Sequence, residues 1–98
     1  MKMKAKVVYL VDCDYPEDHE NYHSNIGIFT SFINAKSVVM EDVNDKDDKI
    51  INTAEETTKN GRQFWTYYSM KGTKYYISEY ALNTRWDKPI EKEYIKED

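Results

Sequence analysis

Asp12-Cys13-Asp14-Tyr15-Pro16-Glu17-Asp18-His19-Glu20-Asn21-Tyr22-His23 is the stretch on which the fold turns. It holds the only cysteine, both histidines and five carboxylates of the chain. It separates two apolar runs, so it reads either as a polar loop joining two strands or as a short helix. The helical reading carries His19-Glu20-x-x-His23. Histidines four residues apart share one helix face and can hold Zn²⁺, with the intervening glutamate as general base. Pro16 at a first turn, Asp14 as cap and Glu17 and Asp18 behind it permit such a helix. A third ligand would come from Asp12, Asp14, Glu41 or Glu79. The helix would have only two turns, however, and no apolar face to hold it rigid. The loop reading is therefore preferred, and His19 and His23 are kept as candidate zinc ligands.

On the N-terminal side, Val7-Val8-Tyr9-Leu10-Val11 is an unbroken β-branched and aromatic run. It predicts a strand over 4–11 with both faces covered. On the other side, Ile26 and Ile28 alternate with Asn25 and Gly27, which predicts a short antiparallel partner at 25–29. Thr30 or Ser31 then caps a helix over about 31–43. Phe32, Ile33, Val39, Met40 and Val43 form its apolar stripe, interrupted by Lys36. The charge run from Asn44 reads as a solvated loop.

Residues 49–60 read as a second short helix or as irregular structure. Asp47 or Asp48 would cap that helix and Gly61 would stop it, but its threonines disfavour helix. Residues 62–69 and 74–82 alternate as a hairpin around Lys71-Gly72. Phe64, Thr66, Tyr68 and Met70 share one face of its first strand, and Gln63, Trp65, Tyr67 and Ser69 share the other. The expected fold class is α+β: an antiparallel sheet of about four strands, one main helix on one face, and the order β-β-α-(α)-β-β. One domain spans 1–86, and 87–98 is a charged tail in which Ile90, Tyr94 and Ile95 dock at most one helical turn.

Three blocks together resemble a family of small uncharacterised domains of bacteria and their phages. They are Val8-Tyr9-Leu10-Val11, Ile26-Gly27-Ile28-Phe29-Thr30-Ser31, and Tyr75-Tyr76-Ile77-Ser78-Glu79-Tyr80-Ala81-Leu82 followed by Trp86. The blocks cover about a third of the chain. Asn44–Thr73 departs from the family pattern as an inserted-looking stretch. The resemblance implies the fold and a bacterial or phage origin, and it implies no activity.

The totals narrow the function. The chain has 98 residues, of which 40% are hydrophobic and 33% charged, and its net charge is −4. One cysteine excludes an internal disulfide, and the apolar run before Asp12 is too short for a signal segment or a membrane span. A reducing, cytoplasmic setting is expected. The acidic balance disfavours nucleic-acid binding even though the hairpin is aromatic. Cys13 beside three carboxylates is a poor nucleophile, because like charges disfavour its thiolate. No Gly-rich phosphate loop is present.

The expected function is therefore a small acidic, non-enzymatic binding protein, phage or mobile-element encoded, that modulates or inhibits a host or defence protein. Its candidate contact residues are Trp65 and Tyr67 on the outer hairpin face, with Glu17, Asp18, Glu20, Glu41, Asp42, Asp45, Asp47 and Asp48 as acidic contacts. No cofactor is expected unless His19 and His23 bind zinc. The alternatives are a zinc-dependent hydrolase built on those histidines with Glu20, and a self-associating accessory protein using the hairpin edge.

Overall fold

A computed structural model describes residues 3–16, 21–85 and 87–95. The strands are β1 (Met3–Pro16), β2 (Asn21–Phe29), β3 (Ile50–Thr57), β4 (Gln63–Ser69), β5 (Lys74–Ala81) and β6 (Ile90–Tyr94). The single helix among the described residues, α1, is Phe32–Asp45. The expected fold class is corrected: the described residues are mostly β, six strands in one sheet with one helix, in the order β-β-α-β-β-β-β.

The main path of the sheet runs β2-β1-β5-β4-β3, with every neighbour antiparallel. β6 pairs parallel with residues 3–7 of β1. β5 occupies one edge of β1 over residues 7–14 and β2 the other over 9–16. β6 therefore continues the β2 side of β1, end to end with it.

Three segments expected to be irregular or helical are strands. The supposed loop at 12–24 is largely ladder, because β1 runs on to Pro16 and β2 begins at Asn21. Residues 50–57 form β3, exposed along nearly its whole length. Its β-branched Ile50, Ile51, Thr53 and Thr57 suit a strand, and the ladder to β4 pairs the inner edge of its backbone. The expected helical turn near Ile90 is β6, and Ile90 is buried against Ala5 and Val7.

Ser31 caps α1, its Oγ accepting from the Asn34 amide. The helix buries Ala35, Val39 and Val43, a stripe at four-residue spacing, while Ile33 is 75% exposed. That stripe meets Tyr9, Val11, Cys13, Tyr67, Tyr75 and Ile77 to form the main core. The odd-numbered residues of β1 from Ala5 to Cys13 are all buried, and the even-numbered ones are not. Among the described residues the sheet is thus covered on one face only, which corrects the expectation of a strand covered on both. The Lys71-Gly72 turn forms as expected, with Gly72 at φ 94° and its amide bonded to the Ser69 carbonyl. No described helix is long and apolar enough to cross a membrane.

Candidate functional site: a histidine between two aspartates

The site is built by a slip in the β1–β2 ladder. Val11 pairs with Gly27 and Asp12 with Asn25, so Ile26 is an extra residue in β2. A bulge of one residue reverses the alternation beyond it. Ile26 packs against the main core, and His23 pairs with Asp14 on the uncovered face. Without the bulge, His23 would share the helix-side face with Gly27 and Phe29. Gly27 accommodates the bend with no side chain, where a Cβ would lie 3.1 Å from the Phe29 ring.

On the uncovered face His23 lies between two carboxylates. Its Nδ1 is 2.7 Å from Asp14 Oδ1 and its Nε2 is 3.1 Å from Asp12 Oδ2. The Tyr76 hydroxyl donates to the other oxygen of Asp14 at 2.8 Å. The hydrogen bond to Asp14 raises the His23 pKa above its ordinary value, and the charges of Asp12 and Asp14 add to the shift. The bonds from His23 and Tyr76 hold Asp14 below the usual carboxylate range. Asp12 is pushed up by partial burial, which outweighs the attraction of His23. Burial and the Asp14 bond push Tyr76 to about 12. Each ring nitrogen of His23 faces a carboxylate, so the imidazolium fits this site and no nitrogen is left to take a substrate proton. Beside the cluster, Asp14, Tyr15, Pro16, Gly72 and Lys74 line a concavity of about 120 Å³, far below the few hundred Å³ of a ligand pocket.

Of the zinc pattern read from the sequence, only the His23 end falls among the described residues. Asn21–His23 belong to a strand, so the helical face that would align two imidazoles is absent there. His19 and Glu20 lie outside the described residues, as do Glu17 and Asp18. Of the other candidate ligands, Glu79 is on the opposite face, 1% exposed, ion-paired to Lys92 and hydrogen-bonded by Tyr9. No group of three His, Cys, Asp or Glu among the described residues has metal-holding geometry.

The helix side carries a second carboxylate centre. Asp42 Oδ2 accepts from Tyr15 at 2.9 Å and from Tyr75 at 2.6 Å, and Oδ1 pairs with Lys46 at 3.0 Å. Burial pushes the Asp42 carboxyl up, but the bonds from Tyr75, Lys46 and Tyr15 together outweigh it and hold it below its ordinary value. Burial raises the Cys13 thiol, which suits a structural cysteine.

The expected contact residues are divided. Tyr67 is 5% exposed and Trp65 is half-buried, its ring 4.4 Å from that of Phe32. The hairpin alternation holds, but its outer face is the Phe64, Thr66 and Tyr68 side. Helix docking inverted the assignment, since sheet faces are equivalent until something covers one of them.

Glu41, Asp45 and Asp47 are exposed at the end of α1. Asp48 is drawn inward, its Oδ1 accepting from the Lys49 and Lys71 amides. The same end holds the β4–β5 turn and the end of β1, since Pro16 packs 3.6 Å from the Cβ position of Gly72. Tyr76 is a site residue that the sequence does not single out, and the alternation Asp12-Cys13-Asp14-Tyr15 is the signal that β1 continues and meets it. Comparison of the chain with protein-family models, curated proteins and solved structures returns no match.

Proposed function

We propose that the protein is a small acidic, non-enzymatic binding protein that docks the C-terminal end of α1 against a basic surface of another protein. The observation that carries this reading is the electrostatics of that end. Helix C-termini favour cations, because the aligned peptide dipoles leave negative charge there. Here the cations at that end are already engaged: Lys46, the cap residue, pairs with Asp42, and Lys71 Nζ donates to the Lys46 carbonyl, while the last turn itself contains no basic residue. Among the described residues, no ion pair or side-chain hydrogen bond engages Glu41, Asp45 or Asp47.

Asp47 adds a second cost. The Asp48 amide bonds to the Val43 carbonyl and the Asp47 amide to that of Asn44, closing the helix with Asp47 at φ 52°. Glycine is the favoured residue in that left-handed position. Carboxylates held where they weaken the helix fit selection for contact rather than for stability. A protein whose basic site otherwise holds nucleic acid is the sharpest form of the partner, inhibited by occlusion of that site.

The test is a combined variant, Glu41→Gln, Asp45→Asn and Asp47→Asn. Its thermal midpoint should equal or exceed that of the native chain. Capture of basic proteins from a bacterial lysate at low salt should be lost, and capture by the native chain should be reversed by added duplex DNA or raised salt. Undiminished capture by the variant would refute the reading.

A further inference from the structure

β3 forms one edge of the sheet, and among the described residues no strand pairs with its outer side. The backbone groups on that side can be named. Thr58 donates its amide to the Arg62 carbonyl at the mouth of the β3–β4 turn. Residues along an antiparallel ladder alternate between pairs that exchange hydrogen bonds and pairs that do not. Counting back from Thr58 and Arg62, Glu56, Ala54 and Asn52 turn their amides and carbonyls toward β4, and Thr57, Glu55 and Thr53 turn theirs outward. The Thr53 amide agrees with this count, because it donates to the Asn52 side chain and not to β4.

Strand edges are ordinarily blunted by bulges, prolines, lysines or a covering element. The opposite edge, β2, is broken in its middle by the Ile26 bulge. The irregularity of β3 lies at its start, between Ile50 and Asn52, and the ladder then runs without a slip from Asn52 to Thr57. Ile50–Thr57 contains no proline and no lysine, and every residue from Ile51 on is exposed.

A row of donors and acceptors at strand spacing matches one kind of occupant, another extended backbone. Charge decides whose. Glu55 emerges on the face of Trp65 and Glu56 on that of Phe64, so each face of the strand carries one carboxylate. Among the described residues neither is in an ion pair, and Glu55 accepts only a neutral bond from Gln63. β4 beside them is uncharged over Gln63–Ser69. Asp47, Asp48 and Lys49 precede the strand and Lys59 follows it, which leaves residues 47–59 at a net charge of −2. A second copy of the chain would bring its own two glutamates to the same edge, whereas a basic strand neutralises both. We propose that the outer edge of β3 takes up an extended basic segment of a partner protein as an added antiparallel strand, with adjacent basic side chains opposite Glu55 and Glu56. The outward groups of Thr53, Glu55 and Thr57 form its ladder, and the Asn52 side chain withdraws from the Thr53 amide as it docks. This edge goes beyond the acidic end of α1 and does not depend on it.

The capped peptide Thr-Val-Lys-Lys-Val-Thr tests the assignment, titrated to millimolar concentration into the isotope-labelled full chain at physiological salt. The Glu55 and Thr57 amides should shift and gain protection from hydrogen exchange. In the matching register the second lysine lies opposite Glu55 with its amide turned toward β3, and the first lies opposite Glu56 with its amide turned away. N-methylation of the second should therefore weaken binding by more than about tenfold, and N-methylation of the first should leave it almost unchanged. Glu55→Gln combined with Glu56→Gln should weaken binding roughly fivefold, and Asn52→Ala, which releases the Thr53 amide, should strengthen it. The combined Glu41→Gln, Asp45→Asn and Asp47→Asn variant should bind the peptide as the native chain does, so that the two contact surfaces fail separately. No protection at Glu55 and Thr57, or equal losses from the two methylations, would overturn the proposal. Loss of binding in the α1 variant with none in the Glu55 and Glu56 variant would overturn it in favour of the helix end. Concentration-dependent protection of the same amides without peptide would overturn it in favour of a second copy.

Discussion

Two neighbouring residues on each of two strands build two different carboxylate centres. On the helix side, Tyr15 of β1 and Tyr75 of β5 donate to Asp42. On the uncovered side, Asp14 of β1 accepts from Tyr76 of β5 and from His23 of β2. Tyr75 and Tyr76 are adjacent in sequence and perform the same act, a phenol donating to an aspartate, on opposite faces. What differs is cover. Tyr75 is fully buried, and the pairing with Asp42 fastens α1 to the sheet. The Asp14 centre is open to water and includes an imidazole whose pKa the carboxylates raise. One strand pair thus supplies both a lock that is indifferent to pH near neutrality and a clasp that responds to it.

The largest expected effect tests the lock. Asp42→Ala strands two phenols and Lys46, and should cost about 2–4 kcal/mol in urea denaturation. A loss below about 1 kcal/mol would mean that water replaces the carboxylate, and the contrast between the faces would fail.

Next comes the matched pair. Tyr75→Phe removes a charge-assisted bond from a fully buried tyrosine and should cost about 1.5–3 kcal/mol. Tyr76→Phe removes its half-buried counterpart and should cost under about 1 kcal/mol, because Asp14 is the more open carboxylate and water screens and substitutes for the bond. Equal losses would break the comparison.

The smallest effect is the pH response of the clasp. The folded-state pKa of His23 is raised. Its contribution is therefore fully present below the unfolded value of about 6.5 and is lost as pH rises through the folded value. Native stability should decline across that window, and His23→Gln should flatten the decline. Asp42 and Asp14 behave oppositely. Their pKa values are lowered, so their contributions hold above the ordinary carboxylate range and fade as acid is added through the folded values. A His23→Gln variant that kept the native alkaline slope would show that His23 is not its source.

Much of the scaffold was legible from local signals. The helix announced itself by Ser31 and its apolar spacing, and the β4–β5 hairpin by alternation around Lys71-Gly72. β3 and β6 were not legible, because both are polar. β3 buries almost nothing, and its strand state rests on pairing to β4, a partner that propensity does not reveal. The extension of β1 was obscured by Asp12 and Asp14, residues that usually mark loops. They are tolerated in the ladder because the face they occupy is wet. The inversion of Trp65 and Tyr67 has a related origin, since alternation separates two faces without saying which one a helix will cover.

The sequence by itself determined the position of the helix, the hairpin turn, the acidic end of α1 and the absence of a disulfide. Each depends on residues within one or two turns of one another, where capping, turn geometry and charge act locally. Only the tertiary structure decided that His23 meets Asp12 and Asp14. That outcome depends on the register of two strands and on one inserted residue, Ile26, which sets the face on which every side chain beyond it emerges.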